Sequence, residues 1–220
     1  MIASTLEARR AFIVDNTRLQ APPHTPELAL HLADEITPIW RMTEEALAEI
    51  GLPPPFWAFA WAGGQALARY VLDNPQVVAG RRVVDFASGS GIVAIAAMKA
   101  GAADVLAADI DPFCGAALSL NAEANSVAVA FTDKDLLETA PPAWAEVILA
   151  GDICYEKPLA ARVIAWLGAA RAAGATVLIG DPGRSYFPRT GLDKLAEYQV
   201  PTTRELEDME VKKTAVWTLP

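Results

Sequence analysis

Metal ligands and disulfide partners are nearly missing from this chain. Of its 220 residues, Cys114 and Cys154 are the only cysteines and His24 and His31 the only histidines. Neither pair has the spacing of a zinc site, and two cysteines do not make a disulfide framework. Positive charge is also scarce: 18 Lys and Arg stand against 27 Asp and Glu, a net charge of −9. The longest basic runs are the pairs Arg9-Arg10, Arg81-Arg82 and Lys212-Lys213. A surface of that sign repels phosphate backbones, so no broad nucleic-acid partner is expected. Long apolar runs are absent too. The longest, residues 91–108, is broken by Lys99, Gly101 and Asp104, so no membrane span is expected. The start, MIASTLEARRAFIVDN, mixes acids and bases and has no apolar signal core. A cytoplasmic location is the expectation. Repeats and low-complexity segments are lacking.

What remains is an ordinary globular composition, 53% apolar and 20% charged. The length suits one α/β domain with a full core. Residues 1–55 read as a largely helical N-terminal extension and residues 56–220 as the main domain. In the extension, STLEARRAFIVDNT follows a Ser4 cap, and TEEALAEIG closes at Gly51 as a helix should. Between them PELALHLADE alternates apolar and polar residues like a short strand. Prolines 53 to 55 prevent helix, and Phe56, Trp57, Phe59 and Trp61 follow at once. After Gly63 and Gly64, QALARYVLDNP reads as a helix closed by Asn74 and Pro75.

From Arg81 onward short apolar runs alternate with helical segments. RRVVDFA, ADVLAAD, VAVAFTD, AEVILAGD and ATVLIGD are the candidate strands, and each of the last four ends in an acid. Such alternation predicts a parallel sheet with right-handed crossovers. The tail has the makings of an antiparallel hairpin at one sheet edge. Ligands of such sheets lie beyond the carboxyl ends of the strands. Those ends carry Asp85, Asp109, Asp133 with Asp135, Asp152 and Asp181. Each alone can be a helix cap; together they predict a site.

The segment VVDFASGSGIVAIA holds the strongest motif. Backbone N–H groups at the start of its helix approach a ligand directly, so the turn must be small. Gly89 and Gly91 provide that clearance, and Ala87, Ser88 and Ser90 keep the turn slim. Gly89, Gly91 and Ala94 equally satisfy a G-x-G-x-x-A dinucleotide signature, and Asp109, 18 residues after Gly91, suits a ribose in either setting. The turn alone does not decide the ligand. Two features do. Asp85 suits a ligand ammonium, which a dinucleotide lacks. The crowd of acids would oppose a pyrophosphate but suits a cationic sulfonium.

With these residues in view, the chain resembles the seven-stranded (class I) S-adenosylmethionine-dependent methyltransferases, and within them the family of electron transfer flavoprotein beta subunit lysine methyltransferases. PPPFWAFAWAGGQALARYVLD, VVDFASGSGIVAIAA, AADIDPFC, LAGDICYEKP and IGDPGRSYFP carry the likeness, across residues 53 to about 188. Ribosomal protein L11 methyltransferases share the glycine loop and D-I-D-P, but have an N-P-x-L type motif where this chain has Asp152-Ile153-Cys154-Tyr155.

The resemblance implies a Rossmann-like seven-stranded sheet, mostly parallel with an antiparallel C-terminal edge hairpin, plus the N-terminal extension. It implies S-adenosyl-L-methionine as methyl donor, S-adenosyl-L-homocysteine as product, and the flavoprotein beta subunit as protein substrate. A ribosomal-protein or small-molecule N-methyltransferase of the same fold is the alternative. By position, Asp85, Ala87, Ser88, Gly89 and Gly91 line the methionine and ribose end, Asp109 binds ribose hydroxyls, Ile110 meets adenine and Asp135 its amine. Trp61 and Gly151 wall the pocket. Asp152 and Tyr155 face the incoming lysine. Trp57 and Phe59 suit a core as well as a site, Cys154 suits packing, and Asp181 to Arg184 suit a turn shaping the substrate side.

Overall fold

The computed structural model describes residues 5–34, 37, 39, 42, 47, 49, 52, 54–203 and 209–220. Each expected short apolar run forms a strand. The seven-stranded sheet contains β3 (Arg82–Phe86), β4 (Asp104–Ala108), β5 (Ala130–Thr132), β6 (Val147–Gly151), β7 (Thr176–Asp181), β8 (Asp193–Pro201) and β9 (Val211–Thr218). Their order is β5-β4-β3-β6-β7-β9-β8. β3 to β7 pair in parallel, and β9 runs antiparallel to both β7 and β8. The expected mostly parallel sheet with an antiparallel C-terminal hairpin is therefore found, with β9 inserted between β7 and the edge.

Because successive strand residues face opposite sides, Val83 and Val84 serve different cores. Val83, with Val105, Leu149, Leu178 and Val216, packs under α2 (Ala62–Asp73) and α3 (Ile92–Lys99), which contribute Leu67, Val71 and Ile95. Val84, with Ile148, Val177 and Ile179, packs under α5 (Lys157–Ala172) through Val163 and Leu167. The remaining helix, α4 (Pro112–Ala124), is capped by Asp111 Oδ1, which accepts the Phe113 N–H at 2.9 Å, with Pro112 in its first turn as expected.

The N-terminal segment is a helix plus a small hairpin. α1 (Leu6–Asn16) is capped by Thr5, whose hydroxyl accepts the Ala8 N–H; Ser4 lies outside the described residues. β1 (Arg18–Gln20) and β2 (Leu30–Leu32) pair antiparallel, as the alternation in PELALHLADE suggested. The helix expected at 43–51 falls outside the described residues apart from Leu47 and Glu49. Ile13, Ile39, Leu47 and Leu52 share an apolar cluster with Trp57 and with Phe113 and Ala117 of α4. The extension thus packs onto the main domain along α4.

The chain runs from β3 outward through β4 and β5, then returns to β6 and β7 on the other side. That reversal opens a crevice at the carboxyl ends of β3 and β6, where ligands of such sheets bind. Among the described residues no helix is long and apolar enough to cross a membrane.

Candidate active site

A cavity of about 940 Å³ occupies this crevice. The glycine turn makes its floor. Ala87, Gly89 and Gly91 all adopt left-handed φ (55°, 51° and 78°), which folds the chain back between β3 and α3. Gly89 lines the cavity and has only the Phe56 carbonyl near where a Cβ would stand, at 3.7 Å. Gly91 serves packing instead: a Cβ there would lie 2.3 Å from Leu118 Cδ1, and the residue itself caps α3. Ser88 is buried, with its hydroxyl unpartnered among the described residues.

Asp109 stands beside the turn. Its Oδ2 accepts the Gly89 N–H at 2.9 Å and its Oδ1 the Asp111 N–H at 3.1 Å. The carboxylate faces the cavity and retains acceptor capacity for hydroxyls. Ile110, 71% exposed, projects beside it, with Leu136 and Leu137 contributing apolar wall. Asp135 lines the same cavity, accepts the Leu137 N–H at 2.9 Å, and lies 3.6 Å from the Arg162 guanidinium. Lys134 and Arg9 add cations at the rim, Arg9 lying 5.8 Å from the Phe113 ring centroid.

Aromatic rings form another part of the lining. Phe56, Trp61 and Tyr155 all line the cavity, with the Phe56 ring 5.9 Å from Trp61 and 5.7 Å from Tyr155. The Trp61 indole N–H donates to the Phe56 carbonyl at 3.1 Å, which fixes the ring. Trp57, four residues earlier, is 1% exposed and stacks on Phe113 at 5.7 Å; it is core. Burial, with Glu156 and Asp109 nearby, pushes the Tyr155 phenol up, so it is a neutral donor and acceptor.

Asp152 lines the same cavity, itself at left-handed φ (56°). Its Oδ2 accepts the Gly64 N–H at 2.8 Å, one of the unpaired donors of the first turn of α2. Its Oδ1 accepts from Arg184, Nη2 at 2.7 Å and Nε at 3.2 Å. α2 comes this close because two glycines allow it: a Cβ on Gly63 would lie 2.3 Å from the Gly180 carbonyl, and one on Gly151 would touch the Gly64 backbone at 3.0 Å. Gly151 lines the cavity next to Asp152.

Two acids of the strand ends stay beneath the cavity. Asp181 is 2% exposed and its Oδ1 accepts the Gly183 and Arg184 N–H groups. Burial pushes its carboxyl up to about 6. Asp85 is 1% exposed and does not line the cavity; its Oδ2 accepts the Ala94 N–H at 2.9 Å, an unpaired donor of the first turn of α3. Burial pushes its carboxyl from 3.8 up to about 8, against the opposing Ala94 bond. In the unfolded chain this group ionises near 3.8, so between about pH 4 and pH 8 the folded state holds the extra proton. Stability from this site therefore falls as pH rises through that window. Asp85→Asn keeps an acceptor for Ala94 and removes the titration. Its melting temperature is expected to decline less between pH 5 and pH 8 than that of the parent; parallel declines would contradict the assignment.

The remaining chemistry is quickly bounded. Burial holds the Cys154 thiol at about 12 and the Cys114 thiol well above its ordinary value, so neither is a thiolate nucleophile near neutral pH. No cluster of His, Cys, Asp and Glu suited to a metal ion occurs among the described residues.

Of the residues singled out from sequence, the fold brings Trp61, Ala87, Gly89, Asp109, Ile110, Asp135, Gly151, Asp152 and Tyr155 to one cavity, and leaves Asp85, Ser88 and Gly91 behind its floor. Arg184 and Arg9 were not read as site residues. The G-D-P-G-R run after a strand was a visible signal for the first. Nothing in the sequence around Arg9 marks it.

The family model for ribosomal protein L11 methyltransferase matches residues 65–154, which contain the glycine turn. Likeness to electron transfer flavoprotein beta subunit lysine methyltransferases is far longer. That of Xenopus laevis is 41% identical over 217 residues, covering 95% of this chain and 86% of that protein. That of Danio rerio is 40% identical over 213 residues, covering 94% and 81%. Among solved structures, magnesium protoporphyrin IX methyltransferase from Synechocystis PCC 6803 with bound SAM superposes with a TM-score of 0.51 at 14% identity, over 71% of this chain and 78% of that one, a likeness of fold alone. Because these relatives are 40% and 41% identical over 94% and 95% of the chain and are themselves covered to 81% and 86%, the chain belongs to the electron transfer flavoprotein beta subunit lysine methyltransferase family.

Proposed function

We propose that this protein transfers a methyl group from S-adenosyl-L-methionine to a lysine of the electron transfer flavoprotein beta subunit, releasing S-adenosyl-L-homocysteine. The main support in the molecule is a single cavity with two kinds of lining: polar groups, Asp109 and Asp135, beside the glycine turn, and the aromatic rings of Phe56, Trp61 and Tyr155. A nucleoside fits the first. Asp109 has acceptors for ribose hydroxyls, Ile110, Leu136 and Leu137 offer an apolar slot for a base, and Asp135 can accept from an exocyclic amine. Ala87, Gly89 and Gly151 let the ligand approach the backbone. Asp85 acts from behind, steadying the first turn of α3. When bound, the donor supplies a methyl group made electrophilic by a sulfonium sulfur.

The chain's own residues must handle the amine. A free lysine with pKa ~10.4 is neutral in about one molecule in 2,500 at pH 7, a penalty of roughly 4.6 kcal/mol. A lysine side chain lying against Phe56, Trp61 and Tyr155 would displace water from those rings, and such desolvation favours the uncharged amine. The Tyr155 hydroxyl and the Asp152 carboxylate orient the nitrogen; alignment of this kind can contribute ~7–11 kcal/mol in favourable cases. The proton leaves to water at the open mouth.

Incubation with the flavoprotein beta subunit and the donor, followed by mass spectrometry, is expected to show increments of one CH2 unit on lysine. Label found only in ribosomal protein L11, or only in the low-molecular-weight fraction, would select the alternatives of the same fold. Heat of binding with NADH and none with S-adenosyl-L-homocysteine would end the reading altogether.

A further inference from the structure

We propose that Arg184 is a positioning residue of the transfer site: it clamps Asp152 and presents a fixed cation that admits the target amine in its neutral form. This rests on the proposed lysine methylation. The geometry is unusually constrained for an arginine. Its guanidinium reaches Asp152 Oδ1 with two nitrogens, at 2.7 and 3.2 Å, and lies 5.6 Å from the Trp61 ring centroid. Its backbone N–H donates to Asp181 Oδ1 at 2.8 Å. The two charged side chains are 20% and 11% exposed, so water screens them little.

The fork matters chemically. Guanidinium stays protonated throughout the accessible pH range, and its planar donors fix the partner carboxylate in orientation as well as position. With Gly64 holding Oδ2, the Asp152 carboxylate is fixed from both sides and its charge is offset. An ammonium entering between Tyr155 and Asp152 meets a cation that cannot lose its proton, whereas a neutral amine meets an oriented acceptor and no net repulsion. Among the described residues, the other charged or titratable groups around this point are Asp152, Tyr155 and Glu156 after β6, Asp109 after β4, Cys114 on α4 and Arg162 on α5, with Asp181 at the end of β7 beneath the cavity; the first turn of α2 brings none.

The test compares Arg184→Gln and Arg184→Lys with the parent enzyme. Affinity for S-adenosyl-L-homocysteine is measured by calorimetry, and methyl transfer to the flavoprotein beta subunit from pH 6.5 to 9.5. Arg184→Gln is expected to lose on the order of 10²-fold in rate at pH 7, to recover much of that loss toward pH 9.5, and to bind the product within a few-fold of the parent. Arg184→Lys, which keeps the charge without the fork, is expected to fall between them with a profile closer to the parent's. A loss equal at every pH, or no loss, overturns the proposal. A second readout needs no protein substrate: n-butylamine, the end of a lysine side chain, is titrated by NMR into the enzyme saturated with S-adenosyl-L-homocysteine. Parent binding is expected to tighten as pH rises toward the amine's ordinary titration, and Arg184→Gln to lose that dependence. Identical dependence in both overturns the role of Arg184. Absence of methyl transfer by the parent, with the butylamine result as expected, overturns only the substrate assignment.

Discussion

Gly63→Ala and Gly180→Ala are each expected to cost a large share of the folded protein's stability. A Cβ on Gly63 would lie 2.3 Å from the Gly180 carbonyl oxygen and 2.6 Å from Asp152 Oδ2, and one on Gly180 would lie 2.1 Å from the Gly63 carbonyl oxygen. These obstacles are mainly backbone, on a helix and on a sheet strand, so no side-chain rotation relieves them. α2 would have to lift from β7, carrying Leu67 and Val71 out of the core they share with Leu149 and Leu178. Overpacking costs typically ~1–3 kcal/mol and occasionally more; here about 3 kcal/mol or more is expected, out of a total that is ordinarily ~5–15 kcal/mol. In a chain of this size that is a fall in Tm of roughly 6–12 °C. Gly168→Ala is the matched contrast. It lies within α5 with nothing inside 4 Å of its Cβ position, and a gain of about 0.5–1 kcal/mol is expected. Thermal or urea unfolding of the three variants decides the matter: an unchanged midpoint for Gly63→Ala would mean that the α2–β7 contact is looser than described.

Asp152 is the position where stability and chemistry are expected to separate. Asp152→Ala removes the acceptor of Gly64 and of both Arg184 nitrogens, and takes the Asp152 charge away from a largely buried guanidinium. Loss of one partner from such a pair costs about 3–5 kcal/mol. Asp152→Asn preserves the shape, keeps an oxygen acceptor and tolerates the left-handed backbone at φ 56°. Its melting temperature is expected to fall far less. Methyl transfer should nonetheless drop on the order of 10²- to 10³-fold, a scale typical of a misdirected electrostatic group in a reaction site. The loss should appear in kcat more than in KM, with product affinity within a few-fold, because Asp109 and the glycine turn, the proposed seat of the nucleoside, are joined by hydrogen bonds that do not involve Asp152. Asp152→Asn turning over at the parental rate would remove Asp152 from the transfer step.

Much of this molecule could be read from local patterns, because a buried strand flanked by helices needs a short apolar run, and such runs end where the chain returns to water. β3, β4, β6 and β7 followed from that rule, and so did the position of the acids at their ends. The polar C-terminal edge was harder. β8 is largely exposed, and its alternation is confined to Ala196, Tyr198 and Val200, which face the core between the outward Glu197 and Gln199; so short and polar a pattern becomes a strand through pairing with β9.

Within the site the same division holds. Glycine spacing identified the turn, since left-handed φ at Gly89 and Gly91 favours that residue type, but it did not separate Gly89, which faces the cavity, from Gly91, which makes room for Leu118. Trp57 and Trp61 look alike in F-W-A-F-A-W; the 3-10 turn at Phe56–Ala58 points one inward and leaves the other at the mouth. The acids at the five strand ends looked equivalent as well. Which of them meet the cavity and which lie under it depends on the side of each strand that α2, α3 and α5 cover.

By itself, then, the order of residues determined the alternation of elements, the glycine turn and the family, because each is written in spacings shorter than about twenty residues. The tertiary structure alone decided that Arg184 would reach Asp152 across 32 positions, and that Gly64 would aim its N–H at the same carboxylate across 88. Such partners are chosen by how helix and sheet pack, and packing is a property of surfaces that no single stretch of chain contains.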